Sequence, residues 1–414
     1  MTTTINNEHK KLNVPNLRFP EFQVEWEEST IGEMFYLYSG NTPSRLNKEH
    51  FKGTVNWISS GELKEHYIYS SKEQISEEAA KSLKLLPVGT FVIAIYGLEA
   101  EGVRGTGSIT QEPSTISQAC MSFIPKGVIE NEFLYSWYKK HGNVIGIRYA
   151  QGTKQQNLSY DILEKFRIAY PNTKEQEKLN KFISLLDERI ATQNKIIDKL
   201  QSLIKGIADN ILDNPLWEKT YLRSFMQFFS TNSLSWEQLS YEEGEIRNLH
   251  YGLIHGFFTS GIKSYSLPMV KYGEMPKQYT LCQVGDVAFA DASEDTDEIG
   301  KSVEFVDTIK GDTICGLHTI HGRDIKNRTV VGFKGFAFNS RYFHNQIKRL
   351  AQGTKVFSIT ANNLSSCYVY LPDFDTQKAI VKLLKAYEEK LLVSKRLLER
   401  HEKQKEYLLR QMFI

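Results

Sequence analysis

Apolar residues recur in alternating steps of four and three at Leu179, Ile183, Leu186, Ile190, Ile197, Leu200, Ile204, Ile207 and Ile211, and Gln193 is the polar step on that stripe. This is a heptad period, and it predicts a long helix holding one narrow stripe against a partner helix. Thr173 and Gln176, just after Pro171, have capping-box spacing and predict the helix start; Asn214-Pro215 predicts its end. Roughly forty residues at about 1.5 Å each make a rod of about 60 Å. A second stripe runs 201 positions later through Ile380, Leu384, Tyr387, Leu391, Ser394, Leu398, His401, Lys405, Leu408 and Met412. Gln193 and Ser394 are counterparts on the two stripes. Each helix could pack on its own domain alone. Stripes this long and narrow outrun a small domain's surface, which favours the two helices pairing with each other.

The offset of 201 is general. Ala150-Gln151-Gly152-Thr153-Lys154 recurs as Ala351-Gln352-Gly353-Thr354-Lys355. Leu158 then falls on Ile359, Ser159 on Thr360, Leu163 on Leu364, Pro171 on Pro372 and Gln176 on Gln377. Upstream, at a shorter offset, Trp26-Glu27 echoes Trp217-Glu218 and Val88-Gly89 echoes Val284-Gly285. The chain therefore reads as one unit written twice. A strand-rich region spans 1–171, a helix 172–214, a second strand-rich region 215–372 and a second helix 373–414. Runs such as Phe91 to Tyr96, Lys301 to Val306 and Thr329 to Phe333 predict the strands, so the fold class is α+β. Antiparallel pairing of the helices would give an approximate two-fold axis, with the strand-rich domains at the two ends of a rod. Two similar domains at a fixed separation suit a duplex with two half-sites, and the rod would act as a ruler.

Composition narrows this little. Hydrophobic residues at 41% and charged residues at 24% suit a globular protein, and no apolar run reaches membrane-spanning length. Met1 to Lys11 lacks a signal-peptide core. The cysteines Cys120, Cys282, Cys315 and Cys367 lie far apart, without a Cys-x-x-Cys pair, and read as reduced buried thiols in a cytoplasmic protein with no metal site. The net charge is only +2: residues 1–171 carry 18 basic and 19 acidic side chains, and 215–372 carry 16 of each. Any nucleic-acid face must then be a local patch.

Catalytic motifs are absent. No two prolines are adjacent, which excludes the Asp/Asn-Pro-Pro-aromatic loop of adenine-N6 methyltransferases. Gly300-Lys301-Ser302 lacks the leading glycine of a phosphate loop, since Asp295 stands there, and the glycines from Gly102 to Gly107 lack dinucleotide spacing. Glu62-Leu63-Lys64 has the acid-x-lysine form of many nucleases but no identifiable partner acid, and His318 and His321 lack further evident zinc ligands.

The opening Asn13-Val14-Pro15-Asn16-Leu17-Arg18-Phe19-Pro20-Glu21-Phe22, then Trp26-Glu27 and Ile31-Gly32-Glu33, resembles the start of type I restriction-modification specificity subunits. So do the two Gln-Gly-Thr turns, each followed by a proline and a long helix with a glutamine near its start. The resemblance covers essentially the whole chain. It implies two target-recognition domains, each reading half of a split DNA site, and paired helices that separate them and dock the partners. Those partners would be two modification subunits, which methylate adenine N6 with S-adenosylmethionine, and two motor-nuclease subunits using ATP and Mg. This chain would carry no cofactor and no catalytic residue. A coiled-coil adaptor that binds no nucleic acid is the alternative, favoured by the near-neutral domains.

Polar side chains on turns beside strands are the candidates for DNA contact, because Arg and Lys bridge guanine O6/N7 while Gln and Asn bridge adenine N6/N7. In the first domain these are Arg45, Arg104, Thr106, Lys154, Gln155 and Gln156. In the second they are Lys263, Lys301, Arg323, Lys326, Arg328 and Lys355, the last being the counterpart of Lys154.

Overall fold

The computed structural model describes residues 13–100, 102–152, 156–256, 261, 267–307 and 312–414. The chain divides into two compact units, residues 1–192 with 398–414, and residues 193–397. Each unit holds one strand-rich module and stretches of both long helices, Thr173–Leu212 and Phe374–Met412. Among the described residues no helix is long and apolar enough to cross a membrane.

In the first unit, Phe91–Ala94 lies between Cys120–Pro125 and Gly107–Thr110 in a five-stranded sheet that ends in Phe35–Ser39 and Tyr67–Ile68. All four residues of Phe91–Ala94 are buried, so the strand reads as a continuous apolar run instead of an alternation. The helix Asn131–Tyr149 covers this sheet, and Phe91 packs on Phe123, Tyr135 and Tyr138 with ring centroids 5.5, 5.9 and 5.7 Å away. Burying each such ring stabilises by about 1.5–3 kcal/mol. The opening motif has a physical reason. Arg18 donates from Nε and Nη2 to the buried Glu175 at 2.7 Å each, Trp26 Nε1 lies 3.4 Å from the same carboxylate, and Phe19 packs edge-on against Phe182. The segment thus fastens onto the first turns of the long helix.

In the second unit, Met226–Phe229, Thr319–Asp324, Val287–Ala290 and Ser302–Glu304 form a four-stranded sheet in that order. The registers superpose on those of the first: Val92 pairs with Ser122 as Ala288 pairs with His321, and Ala94 with Cys120 as Ala290 with Thr319. Two helices, Phe333–Ala337 and Arg341–Leu350, stand where the first unit has one. The run Thr329 to Phe333 is not a strand. It is the lead-in to the first of these helices, turned by Gly332 at φ +95°, and a short apolar run does not by itself distinguish a strand from a buried helix approach.

Along the long helices, Leu179, Ile183, Leu186, Ile197, Ile380, Leu384 and Leu391 are buried, while Ile190, Leu200, Ile204, Tyr387 and Leu398 are half-buried. In the second unit Gln193 meets Ser394 while Ala208 and Leu212 share a core with Ile380 and Leu384, so the two stretches run antiparallel. In the first unit Leu179, Ile183 and Leu186 share a core with Leu408 and Met412, and Lys405 is ion-paired with Asp187. Thr173 is not the cap: the helix begins there, and Asn172 Oδ1 accepts from the Glu175 amide at 3.1 Å. A short Asn side chain satisfies the open N–H groups from outside the helix, which leaves Gln176 for another task.

Candidate nucleic-acid interface

Gln176 is fully buried. Its Nε2 donates to the carbonyls of Pro171 at 2.9 Å and Val128 at 3.0 Å, and its Oε1 accepts from the Glu130 amide at 3.0 Å. Gln377 does the same in the second unit: Nε2 donates to Pro372 at 3.0 Å and Arg328 at 3.1 Å, and Oε1 accepts from Val330 at 2.9 Å. Each module is thereby stapled to the root of its own long helix.

In both modules the residues flanking the repeated Gly-Thr-Lys step pair with each other, as the two arms of a short hairpin. Gln151 and Asn157 exchange backbone bonds at 2.7 and 2.9 Å, and Gln352 and Ser358 at 3.0 and 2.7 Å. Gly152 and Gly353 have φ of +109° and +132°, and a Cβ on Gly353 would stand 1.9 Å from the Val356 carbonyl oxygen, so only glycine fits there. Lys355 is exposed on this hairpin and enters no ion pair among the described residues. Lys154, Gln155 and Lys263 lie outside the described residues.

Beside the first hairpin the structure brings Arg104 and Gln156 together, with Arg104 Nη2 donating to Gln156 Oε1 at 2.8 Å. The Gln156 amide donates to Glu99 at 2.7 Å, so the 97–106 loop and the hairpin form one surface. Burial and backbone contacts place Thr106 and Lys301 at equivalent positions: the Thr106 carbonyl accepts from Ala94 and the Lys301 carbonyl from Ala290, each just after a left-handed glycine, Gly105 at φ +71° and Gly300 at φ +70°. The 201 offset alone does not align them, because the loops between differ in length. A cleft of about 470 Å³ next to the first hairpin is lined by Tyr96, Tyr160, Gln151 and Asn157. None of the four was a candidate from sequence. Tyrosines beside a glycine turn were the available signal, since aromatic faces stack on bases.

Other candidates are already committed. Arg45 forms a two-pronged ion pair with Glu73 at 2.9 and 2.7 Å and lies over the Phe51 ring. Arg323 grips the buried Asp286 at 2.8 and 2.7 Å. Arg328 pairs with Glu218 at 2.6 Å and Lys301 with Glu298 at 3.0 Å. Lys326 is exposed on the turn after Thr319–Asp324. Glu62 caps its own turn by accepting from Ser59 and from the Lys72 amide, and carries no nuclease geometry.

A half-buried polar lock joins the first module to both long helices within the first unit. His66 is stacked between Tyr67 and Tyr135, at 4.0 and 3.9 Å between ring centroids, with Nε2 2.9 Å from Glu132 and Nδ1 3.2 Å from Asp187, which also holds Lys405. Burial pushes the His66 pKa down, but the bonds to Asp187 and Glu132 outweigh it and leave it raised. Asp187 is held below the usual range: burial raises it, while His66 and Lys405 lower it further.

Residues 23–202 match the type I restriction modification DNA specificity domain. The chain is similar to type I restriction enzyme specificity subunits of Methanocaldococcus jannaschii, 29% identical over 185 residues, and of Escherichia coli, 31% identical over 208 residues. Those alignments cover 42% and 48% of this chain, and it spans about half the length of these relatives, 42% and 50%. A solved S subunit of a type I restriction-modification system from M. genitalium shares the fold at a TM-score of 0.55 and 15% identity, over 97% of this chain and 99% of that one. Residues 23–202 thus carry a type I restriction modification DNA specificity domain, and nearly the whole chain shares the fold of a solved S subunit.

Proposed function

We propose that this chain reads a bipartite DNA sequence, one half with each strand-rich module, and presents it to methyltransferase and motor-nuclease subunits that bind S-adenosylmethionine, ATP and Mg and carry out all catalysis. One observation carries the reading: the same module occurs twice, stapled to a long helix by the same glutamine contacts, with loops of different sequence at equivalent places. An adaptor needs no second copy of a strand-rich module; a reader of two different half-sites does. The paired arms of the first hairpin and the neighbouring loop, with Arg104, Gln156 and Tyr96, are the first contact surface; Lys154 is assigned to DNA contact from sequence. The hairpin around Lys355 is its twin.

The committed cations, Arg45, Arg323, Arg328 and Lys301, favour the rival adaptor reading, and one experiment separates the two. The chain is coexpressed with its neighbouring methyltransferase subunit, and methylated adenines are mapped genome-wide. Methylation at a split motif is the expected result. Exchanging residues 215–372 for the corresponding region of another specificity subunit then changes one half of that motif only. Copurification without DNA binding, or both halves changing at once, rejects the proposal.

A further inference from the structure

In the second module, Leu281 bridges Ile314 and the Cys282 amide donates to the Thr313 carbonyl at 2.8 Å. Cys282 therefore stands opposite Thr313, and Cys315, two residues along, projects from the same face. The Sγ atoms of Cys282 and Cys315 are 3.5 Å apart. His321, on the neighbouring strand Thr319–Asp324, brings a ring nitrogen into the group, so that three ligand atoms all lie within 4.8 Å of one another. All three residues are buried.

The first module is an internal control. Leu86 donates to the Ser114 carbonyl as Cys282 does to Thr313, so Leu86 is the counterpart of Cys282 and Ile116 that of Cys315. The sheet registers place Ser122 opposite Val92 as His321 lies opposite Ala288. The same fold is thus built with Leu, Ile and Ser at these places. Packing alone does not call for two thiols and an imidazole, and their joint appearance in one module needs a further reason.

We propose that Cys282, Cys315 and His321 bind a zinc-class divalent cation. Two thiolates at about 2.3 Å from a tetrahedral metal stand about 3.8 Å apart, close to the observed sulfur spacing. Sulfur and imidazole donors select this class over magnesium or calcium. Charge also balances. Arg323 is neutralised by Asp286, which leaves two thiolates to offset the cation once their protons have passed to solvent. Asp286 Oδ2, 2.7 Å from His321 Nε2, orients the ring as a carboxylate beside a ligating histidine does. Thr313 Oγ1, on the same face, is buried and has no hydrogen-bond partner among the described residues; a fourth donor on the metal would supply one. The cation would clip three segments of this module together and take no part in DNA chemistry.

The test uses the full chain, reduced and freed of metal, with zinc and cobalt(II) as probes. A single equivalent of zinc per chain is expected, together with a sulfur-to-cobalt charge-transfer band that zinc abolishes. Cys282→Ser or Cys315→Ser removes the band, His321→Ala weakens cobalt binding at least about tenfold, and Cys367→Ser leaves both unchanged. The double variant Cys282→Leu with Cys315→Ile installs the first module's residues; it keeps the native circular dichroism and loses the metal. Absence of the band in the reduced wild-type chain overturns the proposal. So does zinc retained by the Cys282 and Cys315 variants, or a Cys282–Cys315 disulfide in the chain as isolated.

Discussion

Gln193 donates from Nε2 to the backbone carbonyl of Ser394 at 3.2 Å, and each residue is the other's counterpart in the repeat. In an antiparallel pair of equivalent helices, a residue meets its own counterpart at one level only. Here that level carries the polar step of both stripes, and a buried polar step fixes register at a cost in stability. Gln193→Leu is therefore expected to raise the stability of the helix pair by about 1 kcal/mol, read as a higher urea midpoint, while loosening the register. A lower midpoint would assign the hydrogen bond a net stabilising role instead.

The glutamine staples act in the opposite sense. Gln377→Ala removes three hydrogen bonds and strands the Val330 amide and two carbonyls in the interior. A loss of about 2–4 kcal/mol is expected for the second module, and the same for Gln176→Ala in the first. Hydrogen exchange by mass spectrometry, which reads each module separately, measures both.

The His66 lock gives the first module a pH dependence. With its pKa raised in the folded state, His66 stabilises fully below about pH 6.5, and that contribution is lost as pH rises through the folded value. Lys139 runs the other way: burial first, then Lys405, push its pKa down to about 8, so its penalty is relieved as pH climbs from there toward the ordinary lysine range. The stability difference between wild type and His66→Gln isolates the first effect. It should be largest near pH 6 and shrink by pH 9, measured by urea unfolding followed through first-module peptides.

Lysines and arginines on the list of DNA candidates should separate into two kinds. Lys355→Ala, on an exposed hairpin, is expected to weaken binding to all sequences alike and to lower the salt slope by about one, without loss of stability. Arg323→Ala removes the two-pronged partner of the buried Asp286 and should cost about 3 kcal/mol in the second module. Fluorescence anisotropy with duplex DNA at several salt concentrations, beside thermal unfolding of the chain coexpressed with the methyltransferase subunit proposed above, distinguishes them.

What was legible in the sequence followed from periodicity and repetition. The heptad stripes survive as buried and half-buried positions, and even the polar step at Gln193 meets the residue to which the repeat had matched it. Thr329 to Phe333 misled because a five-residue apolar run has no period long enough to separate strand from helix approach. Charge misled for Arg45 and Arg323, whose partners Glu73 and Asp286 lie 28 and 37 residues away, beyond any local pattern. Cys282 and Cys315 looked unrelated for the same reason: strand pairing, not spacing, brings 33 residues of separation down to one contact.

Each glutamine staple grips nothing but main chain: the Val128 and Pro171 carbonyls with the Glu130 amide, or the Arg328 and Pro372 carbonyls with the Val330 amide. Main-chain atoms are common to every amino acid. A foreign module spliced in at the proline would find the same socket whatever its side chains, provided its backbone followed the same path. An exchange of gene segments at this joint would thus leave the staple intact, while in the first module the side-chain contacts of Arg18 with Glu175 and of His66 with Asp187 would still have to be matched.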